Sequence, residues 1–299
     1  MQLTLATAQY PITAFRDFSE WQQHTARWVE EAARQGARLL LFPEYGAMEL
    51  TSLLPETMQR DLKQQVRGLD DLRAGVVAHY EMLARRWQIV LVAPSLPVIE
   101  NGRVLNRACV FSAAGLAGYQ DKWFMTRFED EEWGVEAAAP VLSLFETEWG
   151  AFGIQICYDV EFPLGAGLLG AAGANLILAP SCTETIRGAT RVHVGARARA
   201  LENQCYVAVA QTVGDAPWSP AVDVNYGFSA VYTTPDRDLP EEGIVAVGTP
   251  QQPGWLVQCI DFEKIKAARL DGQVFNFKDQ QRVRYQLDGQ MPEVRRIRI

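Results

Sequence analysis

Two stretches of the chain repeat one pattern: Gly36-Ala-Arg-Leu-Leu-Leu-Phe-Pro-Glu44 and Gly173-Ala-Asn-Leu-Ile-Leu-Ala-Pro-Ser181. Each is a short apolar run closed by proline, which cannot continue a central strand because it has no N–H to donate to the ladder. An apolar run without polar alternation reads as a strand covered on both faces. Each run follows a helical stretch, 18–35 and 163–172, and each of those follows an apolar strand, 3–9 and 151–157. The parallel continues. A helical stretch at 70–87 leads into Ile89-Val-Leu-Val-Ala93, and one at 191–204 leads into Tyr206-Val-Ala-Val-Ala210. A further strand with small residues closes each half, at 106–113 and 227–233. The chain therefore reads as an α/β protein of two pseudo-symmetric β-α-β-α-β-β halves. The simplest packing sets two half-sheets face to face with helices outside, a four-layer α-β-β-α sandwich. No linker of disordered composition separates the halves, so residues 1–283 are expected as one domain. Segments 212–226 and 235–254 read as loops, and 284–299 as an extended tail.

Composition narrows the partners. The formal net charge of −8 argues against nucleic acid or an anionic membrane surface. The basic cluster Arg295, Arg296 and Arg298 reads as a solvated or docked tail. The five cysteines, at 109, 157, 182, 205 and 259, are odd in number, and none form a C-x-x-C pair. This pattern is that of a reduced, cytoplasmic protein and not of a disulfide framework. The N-terminus enters an apolar strand directly at Leu3, without a charged segment and long apolar run, so no signal peptide is expected. No apolar run approaches the roughly 18 residues of a membrane span.

In open α/β sheets, functional groups gather beyond the carboxyl ends of strands. Three reactive residues fall in such places: Glu44 after Leu39-Leu-Leu-Phe-Pro, Cys157 after Phe152-Gly-Ile-Gln-Ile, and Lys122 after Gly118-Tyr-Gln-Asp. A thiol attacks as its thiolate, and a nearby cation favours that form. A buried carboxylate can take the thiol proton and later activate water. An ammonium can hold the oxyanion formed when a carbonyl is attacked. Taken singly, each has a bland reading: a cysteine ending a strand is usually core, and a lone lysine or glutamate is usually solvated.

The three segments together resemble the nitrilase, or carbon–nitrogen hydrolase, superfamily. The resemblance rests on Phe42-Pro-Glu44-Tyr, Tyr119-Gln-Asp-Lys122 and Gly153-Ile-Gln-Ile-Cys157-Tyr-Asp-Val-Glu-Phe-Pro163, in order and over nearly the whole chain. Gly173-Ala-Asn-Leu-Ile-Leu-Ala-Pro, Arg199-Ala-Leu-Glu-Asn-Gln-Cys-Tyr-Val and Gly227-Phe-Ser-Ala-Val-Tyr-Thr-Thr-Pro look similar to the family as well. Lys122-Trp-Phe-Met-Thr-Arg-Phe-Glu129 resembles a poorly characterised branch sometimes fused to RimI-like acetyltransferase domains, and no such extra domain is expected here.

The resemblance implies an α-β-β-α sandwich, a homodimer or higher homo-oligomer, and a Glu44–Lys122–Cys157 triad. It also implies a second glutamate shortly after the lysine, for which Glu129 is the candidate beside Asp130, Glu131 and Glu132. Where many relatives carry Glu and then Arg after Phe-Pro, this chain has Leu164 and Gly167, so the helix behind the nucleophile is expected to pack differently. The expected reaction is hydrolysis of a small amide to a carboxylic acid and ammonia or an amine, through a thioester. The alternatives are a nitrilase, an N-carbamoyl hydrolase, or a catalytically silent binding or scaffold member. The backbone N–H of Tyr158 is expected to join the oxyanion site, and Ser181 and Cys182 to line the pocket. Cys109, Cys205 and Cys259 read as core. His24, His79 and His193 have no metal-ligand spacing, so neither a metal nor a cofactor is expected. Lys122→Met is expected to cost turnover and little stability.

Overall fold

The computed structural model describes residues 1–287 and 295–296. The first half runs β1 (Gln2–Pro11), α1 (Phe18–Arg34), β2 (Leu39–Leu41), α2 (Glu56–Gln59), α3 (Leu62–Trp87), β3 (Val90–Val92), β4 (Leu96–Glu100), β5 (Arg103–Ser112) and β6 (Gly115–Asp121). The second runs β7 (Leu144–Thr147), β8 (Gly150–Ile154), α4 (Pro163–Ala171), β9 (Leu176–Ser181), α5 (Ile186–Asn203), β10 (Tyr206–Asp215), β11 (Val224–Asn225), β12 (Ala230–Tyr232) and β13 (Ile244–Val247). Then come β14 (Gly254–Asp261), α6 (Phe262–Asp271) and α7 (Asn276–Leu287).

The two half-sheets share one order and one set of directions. The first is β14-β1-β2-β3-β5, with β4 and β6 also paired to β5. The second is β7-β8-β9-β10-β12-β13. In each, three central strands are parallel and their neighbours on both sides antiparallel. The halves meet at the carboxyl ends of β1 and β10, where Gln9 to Pro11 pair with Gln211 to Val213.

Side chains next to each other on a strand point to opposite faces. Leu39 and Leu41 accordingly pack in one cluster with Phe152, Ile154, Leu176 and Leu178 of the second sheet. Leu40 packs in another with Trp21 and Val29 of α1 and Leu69 and Tyr80 of α3. On the far side, Leu169 of α4 and Ala196 and Ala200 of α5 join the second sheet. This is the α-β-β-α layering expected from the repeat.

Several boundaries move, each for a local reason. α3 begins at Leu62 because the Asp61 carboxylate accepts from the Lys63 and Gln64 N–H groups. α5 begins at Ile186 because Thr185 caps the Gly188 N–H. The expected loops at 212–226 and 235–254 contain the end of β10, β11 and β13. α7 carries the chain through Leu287, so 284–287 are helical and not an extended tail. Residues 288–294 and 297–299, Arg298 among them, lie outside the described residues. Cys109 and Cys205 are core, but Cys259 is exposed, because β14 lies at the edge of its half-sheet and, among the described residues, ladders only to β1.

Small residues set how closely the helices approach the site. A Cβ on Gly195 of α5 would lie 2.8 Å from the Val160 carbonyl oxygen, so only glycine lets α5 press on the turn after Cys157. On α4, a Cβ at Gly165 would collide with the Gln155 side chain. Leu164 and Gly167 belong to this helix, Pro-Leu-Gly-Ala-Gly-Leu-Leu-Gly-Ala, with Gly167 buried and Leu164 exposed.

Behind the site, Glu49 is fully buried, and its Oε1 accepts from Tyr10 Oη and Trp21 Nε1, both at 2.8 Å. Oε2 has no partner. Burial pushes the carboxyl from 4.5 up to about 8, against the hydrogen bonds from Tyr10 and Trp21. The folded chain keeps this proton after the unfolded chain has released it, so stability falls as pH rises through that interval. Glu49→Gln keeps both bonds and has no proton to lose. Its melting temperature should gain on the wild type between about pH 5 and pH 8. Parallel melting curves for the two proteins across that range would contradict the assignment.

Candidate active site

Each site residue lies past a strand end. Glu44 follows β2 after Phe42 and Pro43, and the next residue, Tyr45, takes a left-handed φ of 54° that turns the chain into a helical segment, Gly46–Leu53. Lys122 directly follows β6. Cys157 does not end a strand as expected. β8 stops at Ile154, and Cys157 opens a helical turn, Cys157–Glu161, with φ of 48°. A left-handed residue other than glycine is strained backbone, of a kind that clusters at functional sites.

Glu44 and Lys122 are each 1% exposed, Glu129 2% and Cys157 5%. The Lys122 Nζ donates to Glu44 Oε1 at 2.8 Å and to Glu129 Oε1 and Oε2 at 2.8 and 2.6 Å. Asn106 Nδ2 donates to Glu44 Oε1 at 2.9 Å, and the Cys182 N–H donates to Glu44 Oε2 at 3.0 Å. Tyr45 Oη donates to Glu129 Oε1 at 2.7 Å, and Thr126 donates through its N–H and hydroxyl to Oε2 at 2.9 and 2.8 Å. Asp130, Glu131 and Glu132 are exposed, so burial distinguishes Glu129 from the acidic run beside it. The Cys157 thiol points to the Cys182 carbonyl at 3.6 Å.

Asp159 joins two segments of the site. Its carboxylate accepts from the N–H groups of Trp123, Phe124 and Ile156, tying the loop after Lys122 to the turn that carries Cys157. Arg199 of α5 supports the same turn through the Val160 carbonyl.

The charges are unevenly balanced, with one ammonium against two carboxylates. Burial disfavours the Lys122 ammonium, but Glu129 and Glu44 outweigh it and hold the lysine well above its ordinary range. For Glu129 the burial cost is overcome by Lys122, which lowers its carboxyl. For Glu44 burial wins over Lys122, and its carboxyl is raised. Burial and the Glu44 charge push the Cys157 thiol well above its ordinary range, and the opposing pull of Lys122 is smaller. Lys122 favours the thiolate, as expected, but burial and the Glu44 charge outweigh it and favour the protonated thiol.

These groups open onto a cavity of about 950 Å³. Tyr158 and Cys182 line it, and burial pushes the Cys182 thiol up to about 12. As the second residue of a helical turn, Tyr158 has no intrahelical acceptor for its N–H. Ser181 is not in the wall. It is fully buried, and its hydroxyl donates to the Ala179 carbonyl at 3.1 Å. None of the three histidines lines the cavity. His79 bonds Thr25, and His193 bonds Tyr232 and Gln211. Among the described residues, no group of three or more His, Cys, Asp or Glu is arranged to hold a metal ion. Nor is any helix among them long and apolar enough to cross a membrane. Asn106, Tyr45 and Asp159 were not singled out from sequence. The available signal was a polar residue within the apolar strand Val104–Phe111 for Asn106, and the Cys157-Tyr-Asp segment for Asp159.

A buried thiol, a carboxylate and an ammonium thus meet at converging strand ends of a four-layer sandwich, in the wall of one cavity. The chain belongs to the carbon–nitrogen hydrolase family, whose sequence profile matches residues 4–270. It is 30% identical over 283 residues to the Bacillus subtilis (strain 168) protein named Probable hydrolase YhcX, covering 95% of this chain and 54% of that protein, so it spans about half of that relative's length. It is 26% identical over 286 residues to the human protein named Omega-amidase NIT2, covering 92% and 94% of the two chains. In fold it is similar to the carbon–nitrogen hydrolase of Helicobacter pylori G27, with a TM-score of 0.77 at 18% identity over 97% of this chain and 99% of that one.

Proposed function

We propose that the protein hydrolyses a small amide to a carboxylic acid and ammonia or an amine through a thioester on Cys157. The observation that carries this reading is the buried Glu44–Lys122–Glu129 cluster beside the protonated Cys157 thiol, in the wall of one cavity. Glu44 takes the thiol proton as sulfur bonds to the carbonyl carbon. Lys122 and the Tyr158 N–H hold the oxyanion. The C–N bond breaks as Glu44 returns that proton to the leaving nitrogen. Glu44 then takes a proton from water, whose oxygen bonds to the carbonyl carbon, and the C–S bond breaks as Glu44 gives that proton to sulfur, which releases the acid and restores the thiol. Glu129 holds Lys122 in place. No metal or cofactor takes part.

A screen of ammonia release over amides, nitriles and N-carbamoyl compounds tests the reading. Amides are expected to be turned over. Turnover of nitriles or carbamoyl compounds alone would replace the reading with a rival enzyme, and no turnover of any class would favour a silent binding member. The relative named an omega-amidase supports the choice of amides. The protein is also proposed to be a cytoplasmic homodimer. Leu164 and Leu168 of α4 and Val194 and Leu201 of the neighbouring α5 stand exposed, which suits a face covered by a second copy. Light scattering at micromolar concentration should give twice the mass of one chain, and the mass of a single chain would count against the dimer.

A further inference from the structure

We propose that Asn106 is a positioning residue that selects which oxygen of Glu44 takes the proton and anchors that side chain through the reaction. This rests on the reading of Glu44 as the base. Asn106 stands on β5, 1% exposed. Its Oδ1 accepts from Ser95 Oγ at 2.6 Å, and Ser95 Oγ in turn accepts from the Tyr45 N–H at 2.9 Å. The serine has one proton, and it goes to Asn106. The amide is thereby fixed with its NH₂ toward Glu44 Oε1. Every donor along Tyr45, Ser95 and Asn106 points the same way, and the chain ends on that oxygen.

The two oxygens of Glu44 are consequently unlike. Oε1 accepts from Asn106 and from the Lys122 ammonium, whereas among the described residues Oε2 accepts from the neutral Cys182 N–H and faces no charged donor. Donors lower the basicity of the oxygen they bond, and a charged donor most. Oε2 is left as the basic oxygen. It also lies on the correct side, because the Cys157 thiol faces the carbonyl of the same Cys182 whose N–H bonds Oε2. The proton therefore passes from Sγ to Oε2.

That transfer changes what Lys122 can do. At rest its contacts are to Glu44 Oε1 and both oxygens of Glu129, which engages all three N–H groups. Once Glu44 is neutral, the bond from the ammonium to Oε1 loses its charge, and that N–H is released to the oxyanion. Asn106 still donates to Oε1, now the carbonyl oxygen of a neutral acid. It holds the carboxyl while Lys122 lets go.

Alkylation of Cys157 by iodoacetamide, followed by mass spectrometry of the full-length protein as a function of pH, tests this without a known substrate. The wild type should show an acidic fall-off that Glu44→Gln abolishes. Asn106→Leu removes a donor that favours the ionised carboxylate, so its fall-off should move to higher pH by about one unit. Ser95→Ala leaves Asn106 in place but unclamped, and should shift the fall-off the same way by less. It keeps the proposal testable if Asn106→Leu does not fold. A fall-off unmoved in the variants, with alkylation slowed evenly or not at all, would make Asn106 a packing residue and overturn the proposal. A wild type without a Glu44-dependent fall-off would overturn the assignment of the base itself, and this proposal with it.

Discussion

Cys157→Ser should yield a folded protein whose kcat/KM is lower by on the order of 10⁴ or more, the scale of losing a nucleophile from a catalytic unit. The substitution is nearly isosteric at a residue 5% exposed, so packing changes little. The chemistry changes a great deal. A hydroxyl is far less acidic than a thiol, and the base beside it is a carboxylate matched to a thiol proton. Cys182 lines the same cavity and is the only other thiol among those lining residues, yet its carbonyl and N–H, not its sulfur, face the Cys157–Glu44 pair. Its own thiol bonds Asn225 Oδ1 at 3.3 Å. Cys182→Ser should therefore keep most of the activity. A Cys157→Ser protein that turns over near the wild-type rate would remove the thioester from the account.

Lys122→Met should lower kcat/KM by about 10²–10³ or more, the scale seen when an oxyanion donor is lost. Sequence reasoning anticipates little cost in stability, because a buried ammonium carries a desolvation penalty that methionine does not. The structure reverses that expectation. Lys122 lies between Glu44 and Glu129, both buried, and its removal leaves two carboxylates facing each other without a counter-charge. Breaking a buried pair in this way costs roughly 3–5 kcal/mol, less whatever the carboxyls recover by taking up a proton. The melting temperature should fall together with turnover. Lys122→Arg keeps the charge but not the compact shape, and a planar fork does not fit between two carboxylates spaced for an ammonium. Near-normal kcat/KM and melting temperature in Lys122→Met would remove Lys122 from the mechanism.

The internal repeat was legible because both copies are central parallel strands, whose continuous apolar runs need no partner to be recognised. Two of the antiparallel strands, read at 106–113 and 227–233, are β5 and β12, but others were not legible. β6, β7 and β14 mix polar and apolar residues, as strands with a less covered face do, and Leu116, Tyr119 and Cys259 on them are exposed. The triad was visible by position and motif, but its charge balance was not. Choosing Glu129 over Asp130, Glu131 and Glu132 needs burial, and the protonated state of Cys157 needs the sum of burial and two carboxylates against one ammonium. Asn106 was hidden for a similar reason. Its partner Glu44 is 62 residues away in the chain, and the one local signal, a polar residue within an apolar strand, does not name that partner.

The central claim is an acyl group carried on one sulfur. Quenching turnover of an amide in acid and mapping the peptides by mass spectrometry tests it most directly. The account predicts the acyl mass on the peptide that contains Cys157, removable by hydroxylamine. An acyl group on the peptide that contains Cys182, with Cys157 unmodified, would contradict it.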